Sequence, residues 1–449
     1  MSNSRERRHP SFVGQGAGAL PGDVCMPDVG VLALVPDYWG VTAVQVRHQV
    51  LTRLAQYFRV TWVNPAREWR DCWLKKPAAS NGDGNGMTYG ELHVHQPERW
   101  LPRLYRPRAL AGWIQRERWR IARRQLIARG CKRIILYVWR PEFAEALDVV
   151  PHDVSCYHID DEYSFSEARA VLSDRERRLT EEANQVIVHS HQLLRARGHL
   201  NRQTCLVPNG VDYSAYSEWQ EEPLDLRPIP RPRIGYVGVV KKHLNLELLI
   251  AVARKEVQYS FVFVGPVGGI SGSETLMKEL QSLPNVYFLG RKTVGELPGY
   301  MQGMDVCTLC YAPSFHNRFI YPMKLHEYLA TGRPVVGSPI PALKGFRDVL
   351  ELAETEEEWS AAIRRCLGQE SNSEVTIARR QGVAREHDWN ILCQRIATKL
   401  CERLGPEYVE RLAGCSLTPA GDGSTPELAD EMDREVPVEN DGYRHSCPN

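Results

Sequence analysis

From Val29 the chain runs VGVLALV, and short apolar runs recur after it: FRVTWVN from Phe58, LHVH from Leu92, RIILYVW from Arg133, DVSCYHI from Asp153 and QVIVHS from Gln185. Several are nearly continuous in Val, Ile and Leu, the pattern of parallel strands covered on both faces. Between them, Val44–Tyr57, Leu110–Ala128 and Ser166–Ala183 space their apolar residues at helical intervals. The alternation predicts a βαβ series and a doubly wound parallel sheet.

The pattern then breaks and restarts. EEPLDLRPIPRPR (Glu221–Arg233) is Pro-rich and poor in strand formers, so residues 212–232 read as an interdomain linker. Beyond it come RIGYVG from Arg233, YSFVFVG from Tyr259, VYFLG from Val286, DVCTLC from Asp305 and PVVGS from Pro334. Leu246–Lys255, Glu274–Leu283 and Met323–Ala330 supply the helices between. The fold class predicted is α/β, with two Rossmann-like doubly wound domains at 29–211 and 233–388 facing a cleft. Polar stretches at 1–28 and 405–449 lack apolar periodicity and read as disordered tails.

Composition narrows the class. With 449 residues, the chain exceeds one ordinary core and suits two. It is 43% hydrophobic and 25% charged, and no apolar run reaches the ~18–20 residues that span a bilayer. The first residues carry no secretory h-region, so a cytoplasmic protein is expected. A net charge of +1 excludes a general nucleic-acid binder. The twelve cysteines show no paired spacing and read as reduced, partly buried thiols. Cys307 and Cys310, three apart on a strand, point to opposite faces and share no metal.

Candidate chemistry concentrates after the linker. Gly235, Gly238, Gly265 and Gly290 fall at strand carboxyl ends, where a ligand can approach bare backbone. Gly238 is followed by Lys241 and Lys242, which suits a phosphate but lacks the GxGxxG of a dehydrogenase. In YPMKLHEYLATGRPVVG (Tyr321–Gly337), Pro322 opens a helix and Gly332 stops it. Lys324 and Glu327 share one face near the helix N-terminus. A diphosphate could sit at that N-terminus with the lysine, and the carboxylate could accept two ribose hydroxyls. The same residues would also suit an exposed salt-bridged helix.

P-x-K-x-x-E-Y-L-A-x-G-x-P-V-V (Pro322–Val336) resembles the donor-site signature of GT-B glycosyltransferases, above all the retaining family four, or group 1. LVPNGVD (Leu206–Asp212), Asn285–Tyr311, Arg385–Leu400 and Val35–Pro65 resemble further parts of that family, and the third of these implies that residues 389–404 form a helix crossing back onto the first domain. The resemblance implies that Glu327 holds the donor ribose. Lys324, with Lys241 or Lys242 and Gly238, would face the diphosphate. Arg291 and Leu297 would lie at the base, and Asn317 to Tyr321 at the donor sugar through main-chain groups. It implies retention, no metal and no cofactor. An acid often found eight positions before the ribose glutamate is here Phe319, which leaves the donor sugar unnamed.

In the first domain, HIDDEY (His158–Tyr163) places three acids at a strand end. Asp160 and Glu162 could imitate a metal pair, Asp160 or Asp161 could orient an acceptor hydroxyl, or the acids could cap the next helix. Glu142 is a second catalytic candidate. Trp39, Arg47 and His48 belong to the acceptor side. His93, His95, His189 and His191 read as structural. RWLPRLYRPRALAGWIQRERWRIARR (Arg99–Arg124) interleaves arginines with tryptophans, suiting either a solvated helix or contact with an anionic inner-membrane surface. The partners expected are a nucleoside diphosphate sugar and a glycan or lipid-linked acceptor, in polysaccharide or glycoconjugate synthesis. A non-catalytic scaffold subunit and a sugar-nucleotide epimerase on the same fold are the alternatives.

Overall fold

A computed structural model describes residues 24–40, 46–70, 87–96, 98, 100–163 and 172–415. The first sheet has eight strands: β1 (Met26–Leu34), β2 (Phe58–Val63), β3 (Met87–Tyr89), β4 (Leu92–His95), β5 (Arg133–Val138), β6 (Val154–Ile159), β7 (Gln185–Val188) and β8 (Thr204–Leu206). Their order is β3-β4-β2-β1-β5-β6-β7-β8, and only the β3–β4 pair is antiparallel. The second sheet has six parallel strands: β9 (Arg233–Val237), β10 (Ser260–Val264), β11 (Val286–Gly290), β12 (Val306–Leu309), β13 (Val335–Gly337) and β14 (Glu351–Leu352). It runs β11-β10-β9-β12-β13-β14.

Both orders reverse direction once, between β1 and β5 and between β9 and β12. In open α/β sheets ligands lie outside the strand carboxyl ends at such a switch point. Every strand expected from the sequence is present. The structure adds β3, β8 and β14, whose two or three residues are too few to show a period.

Burial explains the alternation. In β1, Val29, Val31 and Ala33 enter one apolar cluster while Leu32 and Leu34 enter another on the opposite face. The helix Trp389–Leu404 fills the first of these with Trp389, Leu392, Cys393, Ile396, Ala397, Leu400 and Cys401. A third cluster forms the core of the second domain. The helix starts where Val211 N donates to His387 O (3.0 Å) and Trp389 N to Val211 O (2.9 Å).

The ends differ from expectation. β1 begins at Met26, inside the stretch assigned to a tail, because fully buried Met26 pairs with Phe58 although Pro27 and Asp28 interrupt the apolar run. After Leu404 a further helix, Pro406–Ala413, buries Tyr408 and pairs Arg411 with Asp28. Cys25 and Cys415 are joined by a disulfide across 390 positions, correcting the reading of these two as free thiols. The remainder of both tails, Val44–Gln45 and the first part of Ser166–Ala183 lie outside the described residues. Among the described residues, no helix is long and apolar enough to cross a membrane.

Candidate active site

Gly238 leaves β9 with φ +146°, and Gly265 leaves β10 with φ +138°. Neither position has room for a side chain. A Cβ on Gly265 would overlap the Gly238 carbonyl; one on Gly238 would overlap Lys324 Cε and stand 2.7 Å from Nζ. The lysine therefore lies across the bare backbone at the β9 carboxyl end, with its Nζ 5.6 Å from the centroid of the Tyr236 ring. Lys324 projects from the helix Met323–Ala330, whose N-terminus carries no side-chain cap. Free N–H groups and the positive end of the helix dipole thus accompany the ammonium.

Glu327 stands one turn further along, partly buried, and its carboxylate interacts with Lys324 and with the Tyr216 hydroxyl. Burial pushes this carboxyl above its ordinary range against the pull of both partners. Tyr216 belongs to a short helix, Tyr213–Ser217, in the stretch read as linker. Nothing local in the sequence marks it, because its partner is more than one hundred positions away. Tyr311, just beyond β12, completes the surroundings: it is buried and interacts electrostatically with both Lys324 and Glu327.

The other donor-side residues are placed less directly. Lys241 and Lys242 are exposed on the loop after β9, and both act electrostatically on His243. Burial, then His316 and these charges, hold His243 down at about 4. Asn317 is buried and donates from Nδ2 to His243 O (3.0 Å) and Ala312 O (2.7 Å). It shapes the loop before the helix with its side chain. The Tyr321 ring points away from the cleft: its hydroxyl meets His326 Nε2 at 2.8 Å, and its carbonyl accepts from Asn209 Nδ2 at 2.7 Å. Arg291 is exposed after β11, and Leu297 is partly buried against the core of the second domain. Phe319 packs against the first-domain cluster instead of presenting a polar group to the cleft.

HIDDEY separates into three environments. Asp160 is buried between Arg47 (2.6 Å from Nη2) and the Tyr163 hydroxyl. Arg47 also pairs with Asp37, forming an ionic cluster over the carboxyl ends of β1 and β6. Glu162 faces the opposite way, bidentate on Arg197 at 2.9 and 3.1 Å, and Arg197 also holds Glu176. Asp160 and Glu162 therefore do not converge on a common ion. Asp161 is the acid that meets the second domain, 3.8 Å from His316 Nε2. Burial raises its carboxyl, with His316 opposing. His316 in turn stacks on His243 at 4.7 Å, which links Asp161 to the Lys241–Lys242 loop.

Glu142 is exposed and pairs with Arg140 at 3.6 Å, and Arg140 in turn lies over the Tyr163 ring, 4.4 Å from its centroid. On the acceptor side, Trp39, His48 and Trp62 form one aromatic cluster, with centroids 4.7–5.1 Å apart. Burial lowers His48 to about 4, so the ring is neutral near pH 7. His189, read as structural, is buried and spans the cleft: Nδ1 approaches Ile159 O at 3.1 Å, and the ring also bonds the Phe319 backbone. Among the described residues, no group of three or more metal-ligating side chains converges.

Comparison with known proteins agrees with this geometry. Residues 231–369 match the family described as glycosyl transferases group 1. Over 198 residues the chain is 32% identical to a putative teichuronic acid biosynthesis glycosyltransferase, TuaH, of Bacillus subtilis; the match covers 42% of this chain and 49% of that one. The chain thus spans about half the length of the curated relative it matches. Sucrose-phosphate synthase from Thermosynechococcus elongatus superposes with a TM-score of 0.61 at 16% identity, covering 84% of this chain and 98% of that one. HepE of Anabaena, solved with UDP-glucose, superposes at 0.58 and 16%, covering 83% and 99%. The chain has the GT-B fold, two Rossmann-like domains about a cleft. Its second domain is the part that matches the group 1 glycosyl transferase family.

Proposed function

We propose that this protein transfers a sugar from a nucleoside diphosphate sugar to an acceptor hydroxyl, with retention at the anomeric carbon and without a metal or cofactor. The observation that carries this reading is the stack of Gly238, Gly265 and Lys324, with Glu327 one helical turn away. Bare backbone, an ammonium and a helix N-terminus at one point form an anion site of diphosphate size. A carboxylate one turn on suits the two hydroxyls of a ribose. The same positive groups would stabilise the departing diphosphate, which is where charge develops in the transition state.

Asp161 is the carboxylate best placed to act at the donor sugar or acceptor hydroxyl, because it faces His316 across the cleft. Asp160 acts through Arg47 as a positioning residue. The named role of TuaH in teichuronic acid biosynthesis favours a polysaccharide or lipid-linked glycan as acceptor, met by this protein at the inner face of a membrane. The UDP-glucose bound to HepE makes uridine diphosphate the first donor nucleotide to try.

Thermal unfolding with a panel of nucleoside diphosphates and their sugars tests the reading, since a bound ligand raises apparent stability by mass action. One nucleotide should raise the midpoint, and purified protein should consume its sugar form when given an acceptor. Lys324→Ala and Glu327→Ala should each weaken that nucleotide by roughly ten- to hundred-fold, the range of a charge-assisted hydrogen bond. Unchanged affinity in both variants would overturn the assignment.

A further inference from the structure

Residues 99–124 hold nine arginines and one glutamate, although the whole chain carries a net charge of only +1. The fold gathers much of this charge beside exposed rings. Residues 67–70 and 100–105 lie together, with Arg103 N donating to Arg67 O (2.7 Å) and the Tyr105 hydroxyl to Glu68 (2.6 Å). The second of these segments leads directly into the helix Arg108–Ala128. That helix buries Ile114, Arg118, Trp119, Ala122 and Leu126 and leaves Leu110 and Trp113 outside.

The exposed rings are Trp69 (42%), Trp100 (67%), Tyr105 (58%) and Trp113 (51%). Arg103, Arg106, Arg108, Arg116 and Arg120 are exposed among them. Trp113 stands on the helix and Trp69 and Trp100 on the segments beside it, and each open indole leaves a large apolar area in water. Indoles interleaved with guanidinium groups match the boundary of an anionic bilayer, where the ring sits at headgroup level and the cation meets phosphate.

The position of the face relative to the cleft is equally informative. Asn64, at the end of β2, accepts from Trp39 N through Oδ1 (2.9 Å) and from Arg118 Nη2 through its carbonyl (3.2 Å). One loop therefore connects the acceptor-side Trp39 to the exposed Trp69. We infer that this arginine–tryptophan face docks on an anionic phospholipid surface and so presents the Trp39 side of the cleft to a lipid-carried acceptor. The inference rests on the glycosyl-transfer reading for its purpose but not for its test.

Flotation of the full chain with vesicles of phosphatidylcholine, with or without phosphatidylglycerol, tests the docking. The chain should float with anionic vesicles, stay behind with neutral ones, and be released by added salt. Replacing Arg106, Arg108 and Arg116 by Gln should lower partitioning roughly five-fold per arginine removed. Trp100→Ala with Trp113→Ala should lower it with all the arginines intact. These side chains are exposed, and unchanged thermal midpoints and nucleotide binding in the same samples confirm folded variants.

Equal affinity for both vesicle types, no flotation at low salt, or variants that float like the parent would overturn the inference. Capture of an acidic protein without flotation would do the same, reassigning the face to a protein partner. Loss of nucleotide binding with intact flotation would instead sink the glycosyl-transfer reading alone.

Discussion

Gly238 shows how much of the site is decided by single atoms. Its φ of +146° is closed to ordinary residues, and the space a methyl would need belongs to Lys324. Gly238→Ala should displace the lysine as well as strain the turn. Nucleotide affinity is expected to fall as far as in Lys324→Ala, and the unfolding free energy by about 1–3 kcal/mol. Titration calorimetry and urea unfolding check the two effects; a variant that loses stability but binds normally would separate the glycine from the phosphate site. The sequence shows this glycine only as one of several at strand ends. What distinguishes it is Lys324 lying on it, and no local pattern carries that contact.

Three adjacent acids make the same point. Asp160, Asp161 and Glu162 are equivalent in sequence, each a carboxylate after β6. Their partners separate them: Arg47 takes Asp160, Arg197 takes Glu162, and His316 meets Asp161. Each partner comes from a different element, so the role of each acid depends on where distant segments arrive. Tyr216 was illegible for the same reason, standing in what reads as a linker and acquiring meaning only beside Glu327.

Among the elements, the helix Trp389–Leu404 ties the two domains together. Its apolar stripe fills the first-domain cluster, although the preceding helix, Glu374–Glu386, packs against Met323–Ala330 of the second. Gly210 lets the two segments cross: a Cβ there would stand 2.7 Å from Leu392 Cδ1 and 3.1 Å from Trp389 Cδ2. Truncating buried Trp389 to Ala should cost about 3–5 kcal/mol, read as a lower urea midpoint. A cost confined to one of two separable transitions would show that the domains unfold independently. The helix was legible through the family resemblance of Arg385–Leu400. Its continuation through Pro406–Ala413 was not, because a single turn-and-restart at Gly405 resembles the start of a tail.

For the whole molecule, buried histidines govern the response to acid. Burial lowers His48 and His243 to about 4 and also depresses His158, His189, His326 and His387. The unfolded chain binds protons at these sites near pH 6.5, whereas the folded chain resists doing so. Between about pH 6.5 and 4 the unfolded state therefore holds more protons, and stability falls as pH falls. Their contribution is fully present above pH 6.5. Urea unfolding at a series of pH values should show this decline; a flat profile across the interval would contradict the burial of these rings.

His326 and His387 stack 3.9 Å apart next to the crossing of the two domains. His387→Gln should reduce the decline, with the other depressed histidines, His93 among them, keeping most of it.

By itself the sequence determined the repeated parallel-strand architecture and the position of Lys324 and Glu327 on one helical face. Both follow from local periodicity: apolar runs must be covered on two faces, and a spacing of three fixes one side of a helix. Only the tertiary structure decided what those faces meet. It brought Gly238 beneath Lys324 and Tyr216 onto Glu327, chose Asp161 as the acid facing His316, and joined Cys25 to Cys415. Such contacts are set by how sheet order and crossings close long loops, information that no short window of residues contains.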